Sequence, residues 1–86
     1  MAKQEVRLPD LKEASGDDEA GDAAKISFVY VDAGDAVDEG DDLVEMVTDK
    51  ATFNVPAPAA GTVESIHVSE DDEVKTGDLL MVLETP

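Results

Sequence analysis

The chain states one phrase twice. Val-x-x-x-Asp-x-Val-x-x-Gly-Asp-x-Leu begins at Val31 and begins again at Val68, an offset of 37 residues. Val31, Asp35, Val37, Gly40, Asp41 and Leu43 thus coincide with Val68, Asp72, Val74, Gly77, Asp78 and Leu80. Ile26, Val29, Val44 and Met46 match Val63, Ile66, Met81 and Leu83 in type. In each phrase the glycine suits a turn position of positive φ, the aspartate caps that turn, and the aliphatics point inward. Two copies are too few for a solenoid, which needs at least three stacking units. The pattern predicts an all-β fold: two similar antiparallel β-units packed face to face about a pseudo-two-fold, closing a flattened barrel or sandwich.

The size of the chain agrees with one thin-cored domain. Its 86 residues bury only roughly 60–65% of the unfolded surface. No cysteine and a single histidine leave neither disulfides nor thiolate or histidine-based zinc to help. Stability must come from Val, Leu, Ile, Met and Phe. Met46 and Met81 hold repeat-related places and read as core fillers. His67 aligns with Tyr30 on a strand and is expected to face solvent without a role.

Charge excludes further classes. Twenty-two acids stand against six bases, a net charge of −16. Phosphate backbones and anionic membrane surfaces would be repelled, so neither nucleic acid nor membrane is an expected partner. The excess fits a docking field for a basic partner and the acidity of a salt-adapted proteome equally well. No run is long enough to span a membrane and the start lacks the plan of a signal peptide, so a cytoplasmic, monomeric domain is expected.

Along the chain, residues 1–4 read as a flexible start and Glu5-Val6-Arg7-Leu8 as a short strand stopped by Pro9. Residues 12–25 are small and acidic, and read as a mobile surface loop. Asp17-Asp18-Glu19 within it has no EF-hand spacing and reads as solvated. Ile26 to Val31 is a predicted strand, as are Leu43 to Val47, Thr52 to Pro56, the stretch through Val63 and Ile66-His67-Val68, and Leu79 to Leu83. Residues 5–84 make up the domain, and Thr85-Pro86 reads as a tail or the start of a linker.

Two of these strands meet at Thr48-Asp49-Lys50-Ala51, which reads as a hairpin tip. Asp49 suits a tight turn, yet Asn-Gly or Asp-Gly is commoner there, so Lys50 has a small local cost and hence a reason to be present. Its repeat counterpart would fall just beyond the last residue. One half therefore carries a hairpin where the other carries the chain ends, and Lys50 is expected at the pole opposite the termini.

Val44-Glu45-Met46-Val47-Thr48-Asp49-Lys50-Ala51-Thr52, followed by Val55-Pro56-Ala57-Pro58-Ala59-Ala60-Gly61, resembles the lipoyl domain of 2-oxoacid dehydrogenase complexes. Leu8-Pro9-Asp10 and the paired Gly-Asp-x-Leu phrases match the same family. Val47 departs from it, since a glutamate usually precedes Thr-Asp-Lys, and the 12–25 loop is longer and more acidic than usual. In the family that loop lies near the modified lysine and helps partners tell domains apart.

The resemblance implies a hammerhead-type barrel that is not itself an enzyme. Lys50 would bear lipoic acid through an amide on Nζ, with Thr48, Asp49 and Ala51 read by the modifying lipoate-protein ligase or lipoyl transferase. The arm would shuttle acyl groups and reducing equivalents among a 2-oxoacid decarboxylase, a dihydrolipoamide acyltransferase core and dihydrolipoamide dehydrogenase. Chemistry would belong to the cofactor, and presentation and recognition to the protein. Three alternatives share part of the pattern. A biotinyl carrier has the same fold but usually flanks its lysine with methionines, a glycine-cleavage carrier is normally longer, and an unmodified module of this fold would serve interaction alone.

Overall fold

Each copy of the phrase folds the same way, down to single hydrogen bonds. The computed structural model describes residues 2–11, 23–48 and 51–86. Eight strands are present among them: β1 (Ala2–Arg7), β2 (Ala23–Val29), β3 (Ala36–Val37), β4 (Asp42–Val47), β5 (Thr52–Pro56), β6 (Gly61–Ile66), β7 (Glu73–Lys75) and β8 (Leu79–Thr85). They form two four-stranded antiparallel sheets, ordered β1-β8-β6-β3 and β5-β4-β2-β7. The predicted all-β pair of sheets is what the chain adopts.

The turns are built by the repeated aspartates. Asp35 and Asp72 each accept, on Oδ2, the amide of the residue three before, Asp32 and Ser69, at 2.8 Å in both halves. Asp41 and Asp78 do the same for Asp38 and Lys75, at 2.9 and 2.8 Å. Gly40 and Gly77 sit beside the latter pair at φ of 89° and 90°, a backbone region that side chains with a Cβ rarely enter.

The two halves trade a strand. β3 joins the sheet of β6 and β8, and its counterpart β7 joins the sheet of β2 and β4. Neither half is therefore a self-contained sheet, as face-to-face β-units would be. β1 takes the place, beside β8, that β5 takes beside β4. Ala57 N–H donates to Asp41 and Gly40 N–H donates to Ala57, while Leu8 N–H donates to Asp78 and Gly77 N–H to Leu8, all at 2.8–2.9 Å.

Burial follows the pleat except at bulges, two of which lie in β4 and β8. Leu43 falls between the pairs Asp42–Pro56 and Val44–Val55, and Leu80 between Arg7–Leu79 and Val6–Met81. A bulge lets two consecutive side chains face the same way, so Leu43 with Val44 and Leu80 with Met81 are all fully buried. Ile26, Met46, Val63 and Leu83 complete the centre of the core. Met46 and Met81 are core residues, as expected. Leu11 is buried as well.

Several boundaries move, among them the end of β2, which stops at Val29 and not Val31. β1 begins at Ala2, which pairs with Thr85, so residues 2–4 are strand and not a loose start, and Thr85 is strand and not tail. Ala23-Ala24-Lys25, assigned to the loop, pair with β7. The stretch through Val63 ends at Ile66, leaving His67 and Val68 outside it. Residues 12–22, with Asp17-Asp18-Glu19, lie outside the described residues.

Candidate functional site

Strands β4 and β5 run in one register, Val44 opposite Val55 through Val47 opposite Thr52. The next pair is Thr48 and Ala51. Thr48 N–H donates to the Ala51 carbonyl at 2.8 Å. The return bond is made by a side chain: Ala51 N–H donates to Thr48 Oγ1 at 3.0 Å, and that hydroxyl reaches the Ala51 carbonyl at 3.3 Å. Only two residues, Asp49 and Lys50, separate the closing pair in sequence. Both lie outside the described residues.

The closing pair and the chain ends occupy opposite ends of the molecule. Asp42, where β4 begins, pairs with Pro56, and Ala57 bonds back to Gly40 and Asp41. Gly61 then opens β6 opposite Val37, and Thr62 faces Glu84 in β8. Glu84 and Thr85 face Lys3 and Ala2. The ends thus stand where β4 starts, and Thr48 and Ala51 stand where it finishes.

A neighbour of the closing pair escapes the sequence. Ala23, Ala24, Lys25, Val47 and Glu73 line, with Thr48, a shallow cleft of about 370 Å³. β2 and β7 contribute to its lining, so the start of β2 and the 73–75 strand belong to this end. The small, acidic stretch before Lys25 has no strand periodicity, and no signal in it placed Ala23 beside Thr48. Lys25 Nζ lies 3.6 Å from Asp71 Oδ1. Among the described residues no three His, Cys, Asp or Glu side chains converge as a metal centre requires. His67 is exposed, with Nε2 3.0 Å from Ser65 Oγ.

The frame suits a covalently attached group. The two flanks of the Asp49–Lys50 connection are tied to each other at the end of the molecule remote from Ala2 and Thr85.

Comparison with known proteins agrees with this geometry. The biotin–lipoyl family model, described as biotin-requiring enzyme, matches residues 4–83. The dihydrolipoyllysine-residue acetyltransferase component of the pyruvate dehydrogenase complex from Azotobacter vinelandii is 40% identical over 82 residues, 95% of this chain and 12% of its own length. The protein of the same description from Pseudomonas aeruginosa is 38% identical over 80 residues, 93% of this chain and 13% of its own length. The chain therefore spans about an eighth of these relatives. Among solved structures, the lipoyl domain of the 2-oxoglutarate dehydrogenase complex from Azotobacter vinelandii superposes with a TM-score of 0.71 at 26% identity, covering 94% of this chain and 95% of that one. The urea carboxylase of Kluyveromyces lactis superposes at 0.76 with 20% identity, covering 98% of this chain and 6% of that one, a likeness of fold.

Proposed function

Because the chain belongs to the biotin–lipoyl attachment family, we propose that it is a lipoyl carrier domain whose Lys50 bears lipoic acid in amide linkage through Nζ. The observation that carries this reading is the closed Thr48–Ala51 pair at the end of the barrel remote from the termini. A ligase must surround the acceptor amine, and the closed pair fixes the two points from which the Asp49–Lys50 connection departs. Asp49 and Ala51 are the residues we assign to its recognition. They stand where the biotin-bearing pattern has methionines, and this favours the lipoyl group.

Bound there, lipoic acid supplies a dithiolane that takes up acyl groups and reducing equivalents. The chain's own part is presentation. Thr48 ties the two strands at their last pair, the shared core holds their sheet against the other, and the ends at the far pole leave the arm clear of the tether. Within a larger acyltransferase, tethering would replace diffusion between active sites by a high effective concentration. The partners in this reading are a lipoate-protein ligase or lipoyl transferase, a 2-oxoacid decarboxylase, the acyltransferase core and dihydrolipoamide dehydrogenase.

The test is intact mass after parallel incubation with a lipoate ligase and lipoate, and with a biotin ligase and biotin. One lipoyl increment that Lys50→Arg abolishes supports the reading. A biotin increment assigns the domain to the biotinyl carriers instead, and no increment makes it an interaction module.

A further inference from the structure

The outer face of the β5-β4-β2-β7 sheet carries an aromatic pair that the fold does not need. Phe28 and Tyr30 are the exposed large hydrophobics among the described residues, at 46% and 44%. Their rings meet edge to face, with centroids 5.0 Å apart. A bulge puts Phe28 there: Ile26 pairs with Met46 and Phe28 with Glu45, leaving Ser27 as the extra residue. Simple alternation from buried Ile26 would have turned Phe28 inward.

The other half contains the same bulge, with Glu64 as its extra residue between Val63 and Ser65. There the positions of Phe28 and Tyr30 are filled by Ser65 and His67. Tyr30 N–H donates to Leu43 and His67 N–H to Leu80, both at 2.9 Å, so the backbones agree. The scaffold forms equally with a small polar pair. The aromatic pair is thus free to serve an interaction.

Its surroundings are acidic. Phe28 lies opposite Glu45, and Glu45 opposite Asn54. Tyr30 Oη donates to Asn54 Oδ1 at 3.4 Å, and Asn54 Nδ2 donates to Asp42 Oδ2 at 3.1 Å. On its other flank Tyr30 walls an open cleft of about 350 Å³ shared with Asp35, Asp41 and Asp42. Asp35 and Asp41 are held by their own turn amides, so they lose little freedom when a cation approaches.

The geometry points to this face as a docking surface for an arginine-bearing protein, with guanidinium groups stacked on Phe28 and Tyr30 and paired with Asp42 and Glu45. Arginine combines a planar face for an aromatic ring with donors for carboxylates, and lysine does so less well. A second copy of the chain would bring its own −16 charge to the same face and be repelled. The inference does not depend on which cofactor Lys50 bears.

The experiment titrates isotopically labelled protein with an arginine–glycine repeat peptide and, in parallel, its lysine counterpart. Amide shifts are expected to concentrate at residues 27–30, 42–45 and 54, with tighter binding of the arginine peptide. Phe28→Ser combined with Tyr30→His, which installs the other half's residues, should weaken the arginine peptide about five-fold and erase its advantage over lysine. Asp42→Asn with Glu45→Gln, which leaves both rings in place, should weaken both peptides. Shifts spread evenly over the acidic surface, equal affinities for the two peptides, or unchanged affinity in the aromatic variant would overturn the proposal. So would concentration-dependent dimerisation that the aromatic variant abolishes, which would make the occupant a second copy.

Discussion

Thr48 and Ala51 close the β4–β5 hairpin through a side chain as well as the backbone, and Thr85 and Ala2 repeat the contact at the opposite pole. Thr48 Oγ1 lies 3.3 Å from the Ala51 carbonyl and Thr85 Oγ1 3.2 Å from that of Ala2. The pseudo-two-fold therefore relates a continuous hairpin to a pair of chain ends, and it offers an internal control. Thr48→Val keeps the shape but leaves the half-buried Ala51 N–H without its acceptor, which should cost about 1 kcal/mol by chemical denaturation. It should also slow lipoylation several-fold, while Thr48→Ser stays near the parent. Thr85→Val removes the matching hydroxyl at the termini and should leave the modification rate unchanged. Equal rates for Thr48→Val and the parent would mean that the closing pair does not position the acceptor.

The halves differ at one strained residue. Gly34 has φ of 96°, and its counterpart Asp71 has φ of 74°, the positive-φ non-glycine among the described residues. Both amides do the same work: Gly34 N–H donates to Val63 and Asp71 N–H to Ile26, at 2.7 and 2.8 Å. An L-residue is disfavoured there, though Asp less than most. Asp71→Gly should therefore stabilise by about 0.5 kcal/mol, and Gly34→Ala should destabilise by about 1 kcal/mol. A Cβ at Gly34 would meet nothing within 4 Å, so the loss measures backbone strain alone. The Lys25–Asp71 pair given up in Asp71→Gly is exposed on both sides and contributes little. Denaturation midpoints at unchanged m-value would read both effects.

These equivalences show what the sequence could reveal. The repeated Gly-Asp-x-Leu phrase was legible because its glycine and aspartate are demanded by turn geometry that few residues satisfy. Leu43 and Leu80 were legible as core, but the bulges that bury them beside Val44 and Met81 were not, since a bulge is a property of pairing between strands. The exchange of β3 and β7 was hidden because strands of two and three residues around Val37 and Val74 have no periodicity to read. β1 was cut short because Lys3 and Gln4 are polar. Their strand state comes from the β8 backbone opposite them, not from their own propensity. At the candidate site, Lys50 was conspicuous by its motif and place in the repeat, whereas the double duty of Thr48 depends on a rotamer that no pattern encodes.

A close approach at the terminal pole sets a further limit. A Cβ on Gly61 would fall on the carbonyl oxygen of Glu84, a backbone atom of the neighbouring strand. β6 and β8 would have to part where the chain ends are stitched to the barrel. Gly61→Ala should thus cost about 2–3 kcal/mol, at the upper end for overpacking, against the modest total stability of so small a domain. The measurement is thermal unfolding with hydrogen exchange at Thr62, Glu84 and Lys3. Protection should fall there while the amides of Met46 and Phe53 keep theirs relative to global stability. A variant as stable as the parent would mean that β8 can shift without loss.

Tyr30 gives a prediction in pH, and as the single tyrosine of the chain it can be followed by tyrosinate absorbance alone. Partial burial of its ring, then the negative charges of Glu45 and Asp42, hold the phenol above its usual value of 10.0. The folded pKa is the higher one, so the protonated phenol favours the native state. That contribution is complete below the unfolded value and is lost as pH rises through the folded one. The titration midpoint should therefore lie higher in the native protein than in urea. Glu45→Gln should lower the native midpoint partway, and so should molar salt, because salt screens the carboxylates but leaves the desolvation of the ring in place. Native and unfolded midpoints that coincide would show that the carboxylates beside Tyr30 are too solvated to be felt, and an arginine approaching the same ring would then gain little from them.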